Sequence, residues 1–350
     1  MSKNKRFRFS VAIIAATALS MTLTAKASGA SPADDAGKSR SPQIHGTVMD
    51  HFAAAYEASR TQWYSLYNML CPRIENPNAG KIAPPPHVRE RSIDEAVGQQ
   101  AMDNLYYVGE KDIWESSPSA WAINTSKGII LLDTLNADSG PIVIERSLRQ
   151  VGLNPEDIKF ILVTHAHPDH FGGARYLQEK YGARVAMSTE DWDYMYAHNP
   201  AGQLPKRDVE IKDGDTYTLG GETLHFYVTP GHTPGTVSTI IPVTDNGVPH
   251  VAAMWGGTGF GFGGATGKAE RNWFQTYHDQ AERFRSVAEH AGADVLLANH
   301  SILDNTDANF AALRNRRPGD PNPWVVGQKS VQGYITTAAE CAAAGYVAMR

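Results

Sequence analysis

The stretch 160–170 limits what this chain can fold into more than any other. Phe160-Ile161-Leu162-Val163 is a short apolar run with β-branched residues, the pattern of a buried strand. Thr164-His165-Ala166-His167-Pro168-Asp169-His170 follows at once and places four metal-capable side chains at positions 165, 167, 169 and 170. Pro168 and the pair Gly172-Gly173 stop the strand, so these side chains are expected on a turn at its carboxyl end. A surface loop that merely contains histidines does not account for three His and one Asp in so short a span. Several imidazoles with one carboxylate suit zinc.

His-x-His-x-Asp-His after a hydrophobic strand resembles the signature of the metallo-β-lactamase superfamily, and the resemblance extends from about Asn104 to Cys341. Two later histidines stand at strand ends in the family's order. His232 lies in Thr229-Pro230-Gly231-His232-Thr233-Pro234-Gly235, and His300 closes Val295-Leu296-Leu297-Ala298-Asn299. Alone, each would read as an ordinary turn or cap histidine. The resemblance implies that His165, His167 and His232 hold one zinc ion and that Asp169, His170 and His300 hold a second. The use of His170, with no cysteine near Gly256-Gly257-Thr258, resembles subclass B3 rather than the cysteine-bearing subclass B1. Asp133 matches the family's early aspartate; it either supports the ligand turn or caps a turn.

The implied fold is α/β, an αββα sandwich with an N-terminal helical extension. The implied activity is a dizinc hydrolase opening β-lactam rings by attack of a zinc-bound hydroxide, with Asp169 orienting the nucleophile. Hydrolysis of another ester, lactone or thioester is the alternative, and a zinc-binding protein without catalysis is a third reading, which predicts closed coordination. No Gly-x-Ser-x-Gly element offers a competing nucleophile. The substrate is a small molecule in either enzyme reading. Thr258, Phe260, Phe262 and Trp192, together with Tyr196, are the candidates for substrate contact.

The segment Gly256 to Gly267 is glycine-rich and reads as a mobile substrate flap. It lacks the metal-bridging Asp usual in glyoxalase-II-like thioesterases and quorum-signal lactonases, and the serines that B3 enzymes place near the second zinc. Gly259, Gly261 and Gly264 satisfy G-x-G-x-x-G, but no helix is expected to open at the last glycine and this is not a leading βαβ unit, so a dinucleotide site is not expected.

Around this centre the chain divides into 1–27, 28–100 and 101–350. Residues 1–27 read as a secretory signal: Lys3, Lys5, Arg6 and Arg8, then a mostly apolar core from Val11 to Leu23, then Ala25-Lys26-Ala27. The core is too short for a membrane anchor, so a periplasmic or secreted location is expected. That segment carries five basic residues (Lys3, Lys5, Arg6, Arg8, Lys26) and no acidic one, so its removal takes the formal charge from −5 to −10. So acidic a surface gives no electrostatic basis for binding nucleic acid or an anionic membrane. Residues 28–100 read as a linker followed by a helical extension over Thr47–Leu70, with Phe52, Tyr56, Trp63, Leu66, Tyr67 and Leu70 facing a core and a proline loop from Pro72 to Pro86. Strands and helices then alternate through the catalytic domain 101–350 to a C-terminal helix near Val331–Ala344. Cys71 and Cys341 either pair in an oxidising compartment or remain free thiols.

Overall fold

The computed structural model describes residues 43–59, 62–75, 97–110, 117–260 and 271–349. Residues 1–27, read above as a signal, most of the residues read as a linker and the later part of the proline-rich stretch lie outside these residues. In chain order the elements begin with helices α1 (Val48–Ser59), α2 (Tyr64–Leu70) and α3 (Pro72–Glu75), then strands β1 (Gln99–Gln100), β2 (Leu105–Tyr107), β3 (Trp121–Thr125) and β4 (Gly128–Leu132). Next come α4 (Gly140–Gln150), β5 (Ile158–Leu162), α5 (Pro168–Phe171), α6 (Ala174–Tyr181), β6 (Arg184–Ser188), α7 (Thr189–His198) and β7 (Val209–Ile211). The second half holds β8 (Thr216–Leu219), β9 (Glu222–Val228), β10 (Val237–Asp245), β11 (Val248–Met254), α8 (Arg271–His290), β12 (Val295–Leu297), α9 (Thr306–Arg314) and α10 (Gln328–Ala348).

The strands form two sheets. One has the order β1-β2-β3-β4-β5-β6-β7, the other β12-β11-β10-β9-β8. β4 to β7 pair in parallel, each crossover carried by a helix, while β8 to β11 form an antiparallel meander. Period-two alternation explains the layers. On β4, Ile129 and Leu131 face α4 and α6, whereas Ile130 and Leu132 face the other sheet; on β5, Ile161 and Phe160 divide the same way. Both faces are apolar, so both are covered, and the result is an αββα sandwich.

The N-terminal helices join the outer core of the second sheet. Phe52, Trp63 and Leu66 are buried with Phe274, Phe284, Tyr334 and Ile335 of α8 and α10. The Thr47–Leu70 stretch is two helices rather than one. Trp63 sits at the start of the second, donates from its indole to the Ser330 carbonyl at 2.7 Å and meets the Tyr334 ring edge-on. Tyr56, expected in the core, is 48% exposed and stacks edge-on against Tyr64 and Tyr67. β7 and β8 escape a sequence reading because their side chains alternate without a strong apolar face: Val-Glu-Ile and Thr-Tyr-Thr-Leu.

Cys71, just after α2, forms a disulfide with Cys341 of α10 across 270 residues of chain. Of the two states open in the sequence, the structure holds the paired one, and it clamps the N-terminal helices to the C-terminal helix. Closing so long a loop restricts the unfolded chain, an effect of about 2–5 kcal/mol. The double variant Cys71→Ser/Cys341→Ser is therefore expected to unfold at visibly lower denaturant, with the m-value reporting a more expanded unfolded state. An unchanged midpoint would show that helix packing alone holds the extension. Among the described residues no helix is long and apolar enough to cross a membrane.

Candidate metal centre

Three segments meet at one edge of the sandwich. The chain leaves β5 at Leu162, and Thr164 is then held by Asp133: its backbone N–H donates to Oδ1 at 2.7 Å and its hydroxyl to Oδ2 at 2.8 Å. Asp133 follows β4 in the left-handed region, φ +59°, a conformation that Asp tolerates better than most side chains. Beyond His167 the chain makes a helical turn, α5, opened by Pro168. This differs from the plain turn expected, and it is the helical turn that carries Asp169 and His170. The carbonyl of His170 accepts from both the backbone N–H and the hydroxyl of Thr134, each at 2.8 Å. The loop bearing His232 is closed by Thr229 N–H to the Thr236 carbonyl at 2.7 Å and tied to the first segment by Val237 N–H to the Thr164 carbonyl at 2.8 Å. His300 follows β12 and Asn299.

The six side chains form two groups. His165, His167 and His232 each bring one donor atom within 4.8 Å of the others, and so do Asp169, His170 and His300. The groups adjoin, with the His165 and His170 rings 4.0 Å apart. Ring nitrogens face each other inside each group: Nε2 of His165 and His232 at 3.1 Å, and Nε2 of His170 and His300 at 3.3 Å. Asp169 Oδ2 lies 3.4 Å from His170 Nε2 and 3.8 Å from His300 Nε2.

The hydrogen bonds behind the rings decide which nitrogens can bind a cation. His165 Nδ1 lies 2.9 Å from the Gly256 carbonyl, and His232 Nδ1 lies 2.5 Å from the Gly259 carbonyl. A carbonyl only accepts, so both Nδ1 atoms carry the proton and both Nε2 atoms present a lone pair. Two lone pairs facing each other at 3.1 Å repel unless a cation lies between them. Tetrahedral Zn–N bonds of about 2.0–2.1 Å separate nitrogens by about 3.3 Å. His170 Nδ1 faces Asp133 Oδ2 at 2.8 Å, the carboxylate–histidine pair that orients a metal-binding ring. The donor set therefore fits zinc.

The electrostatics agree for the first group, whereas in the second a cation would have to displace the proton on His170 Nε2. Burial and the neighbouring rings hold His165 and His232 well below the ordinary imidazole range, and they lower His167 to about 4, so this group is uncharged at neutral pH. Burial disfavours charge on His170, but the Asp169 and Asp133 carboxylates outweigh it and raise the ring to about 10. Burial likewise opposes ionisation of Asp169, yet His170 first, then His300 and His167, hold its carboxyl well below the usual range.

The substrate candidates fare differently. Trp192 is fully buried in the core between the first sheet and its helices, donating to the Val209 carbonyl at 2.9 Å, so it does not line the site. Thr258 is also buried. Its hydroxyl faces the Tyr334 hydroxyl at 3.5 Å, and its carbonyl accepts from the Tyr277 hydroxyl at 2.6 Å. Phe260 is partly exposed and packs edge-on against Phe274 and Tyr277, each at 5.1 Å. Tyr196 caps the Pro205 carbonyl. Phe262 lies outside the described residues. The start of the glycine segment is a scaffold rather than a mobile flap, since the Gly256 and Gly259 carbonyls orient two histidines. Gly257 has no room for a side chain: a Cβ there would lie 2.6 Å from the Cβ of His232. Sequence reasoning also passed over Asn299, whose amide donates to the Gly256 carbonyl at 2.7 Å behind His165.

Residues 113–245 match the metallo-β-lactamase superfamily, a span that includes Asp133, the 165–170 ligands and His232. The chain belongs to the metallo-β-lactamase superfamily. His300 and the Gly256–Gly259 carbonyls lie beyond the matched span and are brought to the centre by the fold. The superfamily's members that resemble it differ in activity. A subclass B3 metallo-β-lactamase of Bradyrhizobium japonicum is similar in structure, with a TM-score of 0.55 and 27% identity, covering 70% of this chain and 93% of that one. In sequence, a hydroxyacylglutathione hydrolase of Acidiphilium cryptum is 29% identical over 163 residues, 45% of this chain and 60% of the relative. Another, of Prochlorococcus marinus, is 26% identical over 201 residues, 57% of this chain and 70% of the relative. The match thus spans less than two thirds of the first curated relative's length.

Proposed function

We propose that this superfamily hydrolase is an exported dizinc enzyme that opens β-lactam rings in the manner of subclass B3. One observation carries the reading. The second donor group is Asp169, His170 and His300, and the segment after β11 places carbonyls, not a carboxylate, beside the histidines. A thioesterase or lactonase of the family usually sets a metal-bridging Asp there, and Gly256-Gly257-Thr258-Gly259 offers none. Likeness to a B3 enzyme over most of that enzyme's length supports it. The Cys71–Cys341 disulfide supports export, because such bonds persist in oxidising compartments.

Zinc, when bound, supplies Lewis acidity that polarises a carbonyl and acidifies water. The chain's own groups do the rest. His165 and His232 are fixed by the carbonyls behind them, and His170 is fixed by Asp133, so the donors are set before substrate arrives. Asp169, whose side chain is 36% exposed, is the one carboxylate of the donor set that reaches the open side and can take up a proton there. Met69 of α2 borders the same edge: its Cε lies 3.5 Å from where a Gly259 Cβ would stand. The N-terminal extension therefore forms part of the wall beside His232.

Hydrolysis of an acyl-glutathione thioester is the second reading, favoured by the curated sequence relatives. A panel separates the two. The zinc-loaded protein is expected to hydrolyse a chromogenic cephalosporin and lose that turnover in a chelator. Hydrolysis of an acyl-glutathione thioester with no penicillin, cephalosporin or carbapenem turned over would replace the first reading by the second.

A further inference from the structure

Asp191 lies outside the donor set, on the first turn of α7, yet it touches both loops that build the first group. Its carboxylate is fully buried. Oδ2 accepts from the backbone N–H of Ala166 at 2.9 Å and from the Thr233 hydroxyl at 2.6 Å; Oδ1 accepts from the backbone N–H of Gly235 at 2.7 Å. Ala166 stands between His165 and His167, and Thr233 follows His232. One carboxylate thus joins the turn that supplies two donors to the loop that supplies the third.

The surroundings show that this joint is built. Ser188 caps α7, accepting from Asp191 N–H at 3.2 Å, and its hydroxyl donates to the Gly235 carbonyl at 2.6 Å. Gly235 is bonded through both its N–H and its carbonyl to the start of α7, and a Cβ there would overlap the Ser188 hydroxyl and the Asp191 backbone nitrogen. The Thr233 hydroxyl also meets the Thr236 hydroxyl at 2.7 Å. Asp191 answers three donors with acceptor oxygens only, an arrangement that an amide cannot copy, because its NH2 would face an N–H.

We propose that Asp191 is a positioning residue that locks the His165–His167 turn to the His232 loop and so sets the spacing of the first donor group. The consequence for metal binding rests on the assignment of that group to a cation; the joint itself does not. Asp191→Asn removes one acceptor while keeping the shape. In the metal-free full-length chain, amide hydrogen exchange at Ala166 and Gly235 is expected to accelerate. In a titration against a chromophoric zinc chelator, one of two zinc equivalents is expected to weaken by about 10–100-fold, the usual effect of losing a ligand-orienting partner, while the other stays unchanged. Turnover lost at low free zinc returns when zinc is raised. If Asp191→Asn fails to fold, Thr233→Val removes one of the three bonds and is expected to weaken the same equivalent by about five-fold. Unchanged exchange and unchanged zinc affinity in Asp191→Asn would overturn the proposal. A wild-type chain that binds no zinc would instead overturn the metal assignment, and the exchange rates would still read the joint.

Discussion

Asp169→Asn is expected to lower turnover by about 10²–10⁴-fold while leaving the fold intact. Three features set the size and the sign. Asp169 supplies the only negative charge in its donor group, with Oδ2 3.4 Å from His170 Nε2 and 3.8 Å from His300 Nε2. His170, His300 and His167 hold it ionised well below neutral pH, so the wild-type side chain is a carboxylate under any ordinary assay condition. Its partial exposure keeps it within reach of a substrate. An amide of the same shape keeps the packing but neither carries the charge nor accepts a proton, and losing a positioned acid–base group costs about two to four orders of magnitude. The comparison is made at saturating zinc, so that weaker metal binding is not mistaken for a lost proton acceptor, and circular dichroism checks the fold. Full turnover in Asp169→Asn at saturating zinc would remove Asp169 from the mechanism.

Asp133→Asn is expected to weaken the second donor group more than the first. The Asp133 carboxylate is wholly buried and answers three donors: Thr164 N–H, Thr164 hydroxyl and His170 Nδ1. In asparagine, the oxygen retained opposite Thr164 N–H leaves NH2 facing His170. The hydroxyl of Thr164 can turn to accept, but the imidazole can accept only by giving up its Nδ1 proton, which moves it to the tautomer protonated at Nε2. That change blocks the very nitrogen that faces His300 at 3.3 Å. Affinity for a metal ion in the second donor group is expected to fall by about 10–100-fold, and the unmet buried donors cost about 1–3 kcal/mol of stability. Zinc content after dialysis at buffered free zinc, read beside thermal unfolding, checks both. Two retained equivalents at wild-type affinity would show that Asp133 serves only the backbone of Thr164.

The two substitutions differ in kind. Asp169 is partly exposed, so its loss is expected to leave the fold and remove chemistry. Asp133 and Asp191 are buried beneath the donors and act through backbone N–H groups and a ring proton. Each answers three donors within about 3 Å, and each ties two separate stretches of chain. Asp133 joins β4 to the 164–170 turn, and Asp191 joins that turn to the His232 loop.

Much of this was legible in order along the chain, and the reason is local. The apolar runs of β4 and β5 identify strands buried on both faces because alternating residues all need covering. His165, His167, Asp169 and His170 mark a candidate cation site because no packing requirement would gather them after a strand. What only the tertiary structure decided depends on residues far apart in sequence: the pairing of Cys71 with Cys341, the face on which Trp192 and Thr258 point, and the use of glycine carbonyls at 256 and 259 to set imidazole tautomers. Asp191 shows the limit most clearly. In sequence it is an acidic residue in the first turn of a helix, where the dipole alone would favour one; only when α7 is packed beneath the two ligand loops do its oxygens meet Ala166, Thr233 and Gly235. A pattern of residue types specifies which atoms can bind a metal, but the hydrogen bonds that aim those atoms are made by backbone groups, which every residue carries and no sequence distinguishes.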